Sequence, residues 1–259
     1  MDAQEEQAVS DLHQLVKDET GLFIGNDKKI LIRYLRCTNF NVNKAFEKMK
    51  SVYRHKADNI KWYAHKRLPE LHDKILADNI HILLGSRDKH GRKLYLVKLG
   101  NIEFGKYEPW EMHQVDDIWL ELALDEDETQ KNGVTFLIDM DKMSWKFIRY
   151  LTLYNVKVGT RKTENMPVCD VKYHVINSGL LLNTMISIVF PFLSSGTKEN
   201  VHFHKSDWSS LHQHIDPSAL PQEYGGLQPS VDHKKIIETI LNPNTQRLNE
   251  LLSYGYGSK

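Results

Sequence analysis

The sequence predicts an α/β protein: an N-terminal three-helix bundle followed by a mainly parallel sheet with helices packed against it, one of them a mobile lid. Three observations lead there. Over the first seventy or so residues, apolar side chains recur at helical spacing. From Ile80 onward, short apolar runs alternate with helical stretches, an order that implies parallel strands joined by helices. Finally, Gly179–Leu193 reads GLLLNTMISIVFPFL, a helix with hardly a polar face, set between two strands.

Each element has its own signal. Asp2–Lys17 carries Val9, Leu12 and Val16 on a helical rhythm and ends at Gly21. A second helix starts after Asn26–Asp27, residue types that accept hydrogen bonds from a first helical turn, and places Ile30, Leu31, Tyr34 and Leu35 on one side. The third follows Asn41, with Val42, Phe46, Met49 and Tyr53 as its core stripe. Ile80–Leu84 and Lys93–Leu99 read as strands joined by a turn at Asp88–Gly91. A long helix begins near Pro109, which suits a first turn, turns Val115, Ile118, Trp119 and Leu122 inward and stops at Gly133. Val134–Ile138 is a strand buried on both faces. A helical stretch around Trp145–Val156, the strand Val171–Ile176, the apolar helix and the strand Val201–His204 complete the alternation. Lys234–Leu252 forms a tail helix broken at Asn242–Pro243. The division expected is 1–72 for the helical domain, 73–230 for the sheet domain and 231–259 for the helical tail.

Composition narrows the function. Lys+Arg and Asp+Glu balance at 34 each, so no global field draws the chain to nucleic acid or to anionic membranes. Two cysteines, Cys37 and Cys169, make no disulfide framework, and the acidic start MDAQEEQAVSDL is neither a secretory signal nor a basic transit peptide. A cytoplasmic protein is expected.

The apolar helix carries the functional argument. Gly179–Leu193 falls short of the ~20 apolar residues that span a bilayer, and Asn183 and Pro191 interrupt it. A helix that is apolar all round is either buried or faces lipid. In a single parallel sheet only one helix face meets the sheet, and Asn183, Thr184 and Ser187 are too few to make a polar outer face. The expectation is a lid whose inner face closes an oily cavity and whose outer face meets a membrane. An outer face of ~300 Å² inserted into acyl chains would yield ~7 kcal/mol at ~25 cal/mol per Å², enough for reversible docking. The alternative is a fully buried core helix, in which all its apolar side chains find protein partners.

Other chemistry is thin. GNIEFGKY (100–107) is one residue from the phosphate loop GxxxxGK[ST], but Tyr107 stands where a hydroxyl would hold Mg²⁺. Even with Asp139 nearby, it reads as an ordinary strand-to-helix loop. His202 and His204 share a strand face without an evident third ligand, so they read as structural and no metal is expected. Asp125–Glu128 reads as a solvated helix face. There is no GxSxG, HExxH or CxxC, so neither an enzyme nor a cofactor is expected.

Together these motifs resemble the CRAL-TRIO lipid-transfer family, in its tocopherol- and retinoid-binding branch. LIRYLRCTNFNVNKAFEKM (31–49) is similar to the family's helical N-terminal motif. SRDKHGRKLYLV, ETQKNGVTFLIDMD, HVIN, PFLSSGTKENVHFH and LPQEYGG follow in the family's order, covering roughly residues 5–230. The resemblance implies a lipid domain holding one small hydrophobic ligand (tocopherol-, retinoid- or carotenoid-like) under a gate helix at about 179–200, with transient membrane contact and no covalent chemistry. In that frame the sheet offers Tyr95, Val97, Phe136, Ile138 and Ile176, and the helices over it Trp119, Leu122, Phe147 and Leu151. The gate offers Leu181, Met185, Ile188, Val189 and Phe192 inward and Leu182, Ile186, Phe190 and Leu193 to the membrane. Tyr95, Tyr154 and Ser144 are the candidates for one polar ligand contact. One departure matters: the positions that would carry a basic phosphoinositide patch hold Cys169, Val171, Gly196 and Asn200. This argues against a headgroup trigger and against a phospholipid or phosphoinositide sensor on the same fold.

Overall fold

The computed structural model describes residues 2–257; Ser258 and Lys259 of the expected tail lie outside the described residues. Helix α1 (Ala3–Asp18) opens on a reciprocal cap between Asp2 and Glu5. After the two-residue strand β1 (Leu22–Phe23), Asp27 caps α2 (Lys28–Arg36) and Asn41 caps α3 (Val42–Asp58), the two starts expected from the sequence. Their stripes meet in one core that includes Leu12, Val16, Leu31, Leu35, Met49 and Tyr53. A fourth helix that the sequence reading missed, α4 (Pro69–Ala77), buries Ile75 and Leu76 in the main core.

The sheet runs in the order β2-β3-β4-β5-β6, with β2 (His81–Arg87) antiparallel to β3 (Lys93–Lys98) and the other pairings parallel. Between β3 and β4 (Val134–Asp139) lie α5 (Pro109–Asp125) and α6 (Asp127–Asn132). Gly133 ends α6 at φ +98°, and a Cβ there would sit 1.9 Å from the Asp170 carbonyl oxygen, so only glycine fits. Between β4 and β5 (Val171–Ile176) come a 3₁₀ segment, Trp145–Tyr150, and α7 (Leu153–Asn165). The expected helix over Trp145–Val156 is therefore two elements, meeting where Ser144 and Thr152 each cap a new start. Between β5 and β6 (Val201–Lys205) come α8 (Leu181–Val189), the 3₁₀ turn Phe190–Phe192 and α9 (Ser195–Glu199).

Each parallel strand is followed by its sheet neighbour. Right-handed crossovers therefore bring these helices to one face of the sheet. The opposite face, carrying Ile82, Leu94, Leu96, Leu137 and Ile176, is covered by the chain after β6. That chain includes α10 (Trp208–His212) and supplies Leu211, Ile215, Leu220 and Tyr224.

The tail breaks where Asn242–Pro243 predicts. It runs as α11 (His233–Ile236), a π-helical turn (Ile237–Leu241), a 3₁₀ turn (Asn242–Asn244), α12 (Thr245–Ser253) and β7 (Gly255–Tyr256). It ties the two cores together. Leu241, Leu248 and Leu252 pack into the main core, Leu251 and Tyr254 into the N-terminal one, and β7 pairs with β1. The acidic run 125–128 lies at the α5–α6 junction and is no idle solvated face. Asp125 meets Arg247 at 2.7 Å, Glu126 meets Lys93 at 2.8 Å and Asp127 meets Arg36 at 2.7 Å, joining three other elements.

Candidate functional site

A cavity of about 370 Å³ lies between the helix-covered face of the sheet and the helices above it. The register sets its floor. Val97, Ile138 and Val175 pair across β3, β4 and β5, with Phe203 beside them on β6 and His81 opposite Val97 on β2. Met112 and His113 enter from the first turns of α5, and Phe147, Tyr150, Leu151 and Val156 from the segment after β4. The remaining wall is the α8 region, through Leu182, Met185, Ile186, Val189, Phe190 and Leu193. Among the described residues, the lining includes no Asp, Glu, Lys or Arg. A volume in the usual range for a small-molecule pocket, with walls this apolar, accepts an uncharged hydrophobic molecule.

Of the fourteen expected ligand residues, Val97, Ile138, Phe147, Leu151, Met185 and Val189 line this cavity. Tyr95, Phe136, Trp119 and Leu122 do not; they are core. The cavity occupies the later part of the strands, and Tyr95 and Phe136 stand two residues earlier, packed edge-to-face at 5.2 Å. Trp119 and Leu122 lie one to three turns past His113 along α5 and are buried in the same core. Ile176 points to the opposite face, because strand alternation sends Tyr173 and Val175 to the cavity and His174 and Ile176 away from it.

The gate residues need a rotation of the helix. Leu181 is buried in the core, Ile188 stands outside the lining and Phe192 is turned to solvent. Leu182, Ile186, Phe190 and Leu193, expected to face a membrane, instead face the cavity with Met185 and Val189. At 100° per residue Leu182, Met185, Ile186 and Val189 fall on one side of α8, and the 3₁₀ turn that follows brings Phe190 and Leu193 to the same cavity. The other side carries Leu180, Asn183, Thr184, Ser187 and Pro191, so a few small polar groups do suffice for an outer face. At the C-terminal end of the gate, Ser194 donates from its backbone N–H at 2.9 Å and its Oγ at 3.0 Å to Glu164 on α7. Burial works against this carboxylate, but these bonds hold it below its ordinary range.

Polar groups in the lining are few, and most are satisfied within the protein. Thr160 and Thr163 donate to the carbonyls of Val156 and Gly159, and Tyr150 donates to that of Tyr107. None of the three expected polar contacts lines the cavity. The Tyr95 hydroxyl donates to Asp116 at 2.8 Å, Tyr154 is exposed and Ser144 caps the 3₁₀ segment. Among the described residues, the polar side chains of the lining left without a hydrogen-bond partner are His81, His113, Tyr173 and the Trp62 indole, which no signal in the sequence singled out.

Competing chemistry finds no support in the geometry. Lys106 of GNIEFGKY pairs with Asp78 at 2.7 Å, Tyr107 donates to the Lys74 carbonyl, and a Cβ on Gly100 would strike Asp141. His202 and His204 share the back face of the sheet with His174 and His214. The His174 and His204 rings meet through Nδ1 and Nε2 at 2.8 Å. Among the described residues no three His, Cys, Asp or Glu side chains are placed to hold a metal ion. Burial pushes the Cys37 thiol up to about 11 and raises that of Cys169, opposite to activation. Among the described residues, no helix is long and apolar enough to cross a membrane.

Residues 77–226 match the sequence profile of the CRAL/TRIO domain. Clavesin-1 of Xenopus laevis is 26% identical over 236 residues, spanning 90% of this chain and 71% of that protein. Clavesin-2 of Homo sapiens is 24% identical over 222 residues, 85% of this chain and 68% of that one. Among solved structures, that of Sfh5 superimposes with a TM-score of 0.54 at 13% identity, over 92% of this chain and 96% of the other, a likeness of fold alone.

Proposed function

We propose, from the premise that this chain belongs to the CRAL/TRIO family of lipid-binding proteins, that it carries one small hydrophobic lipid in the cavity and moves it between membranes, without catalysing a reaction. The observation that carries this reading is a charge-free cavity of about 370 Å³ whose one wall is a short helix lying over a strand edge. Residues 1–72 and 73–230 act as helical and lipid-binding domains tied by the tail. The protein works in the cytoplasm and touches membranes transiently.

Exchange requires α8 and the 3₁₀ turn after it to swing from the cavity, exposing their six apolar side chains. A membrane surface lowers that cost by receiving them. Large apolar groups already exposed on the segments around the cavity mark where docking begins: Trp145, Leu153 and Tyr154 before and at the start of α7, and Leu180 before α8. Exposed Lys146, Arg149 and Lys157 lie among them, and the run 142–163 has no acidic residue. This set replaces the outward face first assigned to α8. Lys172, the basic residue nearest the positions expected for a phosphoinositide patch, is engaged by Asn200 at 2.6 Å and Asp170 at 3.3 Å. The sensor alternative therefore gains no support. Transfer of a fluorescent tocopherol analogue between vesicles tests the reading. The variant Trp145→Ala/Leu153→Ser/Tyr154→Ser is expected to bind the analogue as before but to transfer it at least severalfold more slowly; undiminished transfer refutes the docking surface.

A further inference from the structure

Two imidazoles of the cavity lining, His81 and His113, both lie in the field of one carboxylate, Asp116. His113 lies on α5 one turn before Asp116, on the same helix face. His81, on β2, approaches that carboxylate with Nδ1 at 3.8 Å, too far for a hydrogen bond, and this nitrogen is buried without a partner. Both rings line the cavity. His113 also packs on Trp62 at 5.0 Å, which fixes its plane.

Burial depresses both imidazoles, His113 to about 3, and no hydrogen bond offsets this. Each ring is therefore neutral at pH 7, with one N–H donor and one lone pair. The field of Asp116 favours the tautomer with hydrogen on His81 Nδ1, which leaves Nε2 as an acceptor.

We propose that His81 and His113 form the hydrogen-bonding pole of the cavity and select an uncharged lipid alcohol, donating to and accepting from its single hydroxyl. The inference rests on the lipid-carrier reading and deepens it by naming a ligand class. A carboxylate or phosphate is disfavoured at the same place. Asp116 repels it, and the nearest cation, Lys162, is taken up by Asp117 at 2.7 Å and by the carbonyls of Trp62 and His113. A hydrocarbon leaves both imidazoles unpartnered in a dry site, and an ether, which accepts but cannot donate, leaves the acceptor nitrogen unpartnered; the alcohol avoids both penalties.

The test uses ligands matched in skeleton: retinol, retinyl methyl ether and retinoic acid, and α-tocopherol with its methyl ether. Fluorescence titrations are run on the wild type and on His81→Phe, His113→Phe, His81→Gln, His113→Gln and Tyr173→Phe, each checked for a cooperative melt. The wild type is expected to prefer the alcohol by about 10- to 100-fold over ether and acid. Each phenylalanine variant should reduce that preference to within about threefold while still binding the ether, and glutamine should restore part of it. Equal binding of alcohol and ether by the wild type overturns the proposal and leaves the carrier reading standing. A preference that survives both histidine substitutions and disappears in Tyr173→Phe also overturns it, moving the contact to β5. Failure of every ligand to bind any form counts against the carrier reading itself.

Discussion

Acid is expected to loosen this protein at the back of the sheet, in addition to the buried cavity imidazoles His81 and His113. His174 is buried under His202, His204 and His214, with Arg92 and Lys172 nearby and Asp207 beside His204. Burial, then the neighbouring imidazoles, push it down to about 3. Its partner His204 is pushed down to about 4 for the same reasons. In the unfolded chain a histidine titrates near ~6.5. Between these values the unfolded state binds protons that the folded state refuses, so stability falls as pH drops below ~6.5 and goes on falling toward the folded value. From pH 7 to pH 5 one such histidine costs about 2 kcal/mol. His174 and His204 share a hydrogen bond and titrate together, so this figure is taken for the pair. Asp117 works in the other direction: burial raises it to about 6 despite Lys162, so it gains protons on folding over part of the same range. The comparison must therefore be made against a variant. His174→Phe/His204→Phe replaces both partners by rings of similar shape. Thermal melts at pH 7, 6 and 5 should show the wild type losing roughly 4–8 °C more than this variant. Equal losses in the two proteins would mean that the cluster does not resist protonation, and the reasoning would fail.

Three further outcomes follow from the same geometry. Lys162→Met strands Asp117 without its 2.7 Å partner and should cost about 3–5 kcal/mol in urea unfolding, with much of it recovered by adding Asp117→Leu; additive losses in the double variant would argue against coupling. Ile186→Lys puts a charge into the cavity wall and should lower lipid occupancy at least tenfold, whereas Ser187→Lys, next along the helix but on its outer side, should leave occupancy within about twofold. The reverse pattern, read by mass spectrometry of the loaded protein, would return α8 to the orientation first expected. Glu164→Ala removes both bonds that hold Ser194 and should speed ligand release roughly 3- to 10-fold in a stopped-flow chase; an unchanged rate would show that these bonds do not latch the gate.

What the sequence made legible was what repeats along it. The stripes of the first three helices, their Asp27 and Asn41 caps and the strand order after Ile80 are local signals and stand where those signals put them. The long helix expected from Pro109 to Gly133, by contrast, is broken into α5 and α6, and the one over Trp145–Val156 into a 3₁₀ segment and α7. The errors on β5 and at the gate are errors of phase. A strand changes face with every residue, so choosing Ile176 in place of Val175 crossed the sheet. In α8 almost every position is apolar, so hydrophobicity could not say which side faced in. The small polar Asn183, Thr184 and Ser187 hold that information, and three such groups are enough to mark the outer face of so short a helix. Other features needed distant partners. His174 and His214 join His202 and His204 only once β5 and the chain after α10 come together. The acidic run at 125–128 finds Arg36, Lys93 and Arg247 only in the folded chain. The polar pole was invisible because one histidine lies on a strand and the other on a helix, 32 residues apart.

The most direct test of the lipid-carrier account is native mass spectrometry of the purified protein, followed by organic extraction and identification of what it holds. The account predicts one uncharged apolar molecule per chain, or uptake of one from a mixed lipid extract, with loss of that mass in Ile186→Lys. A well-folded protein that stays empty in the presence of such an extract would contradict it and leave the apolar helix as part of the core.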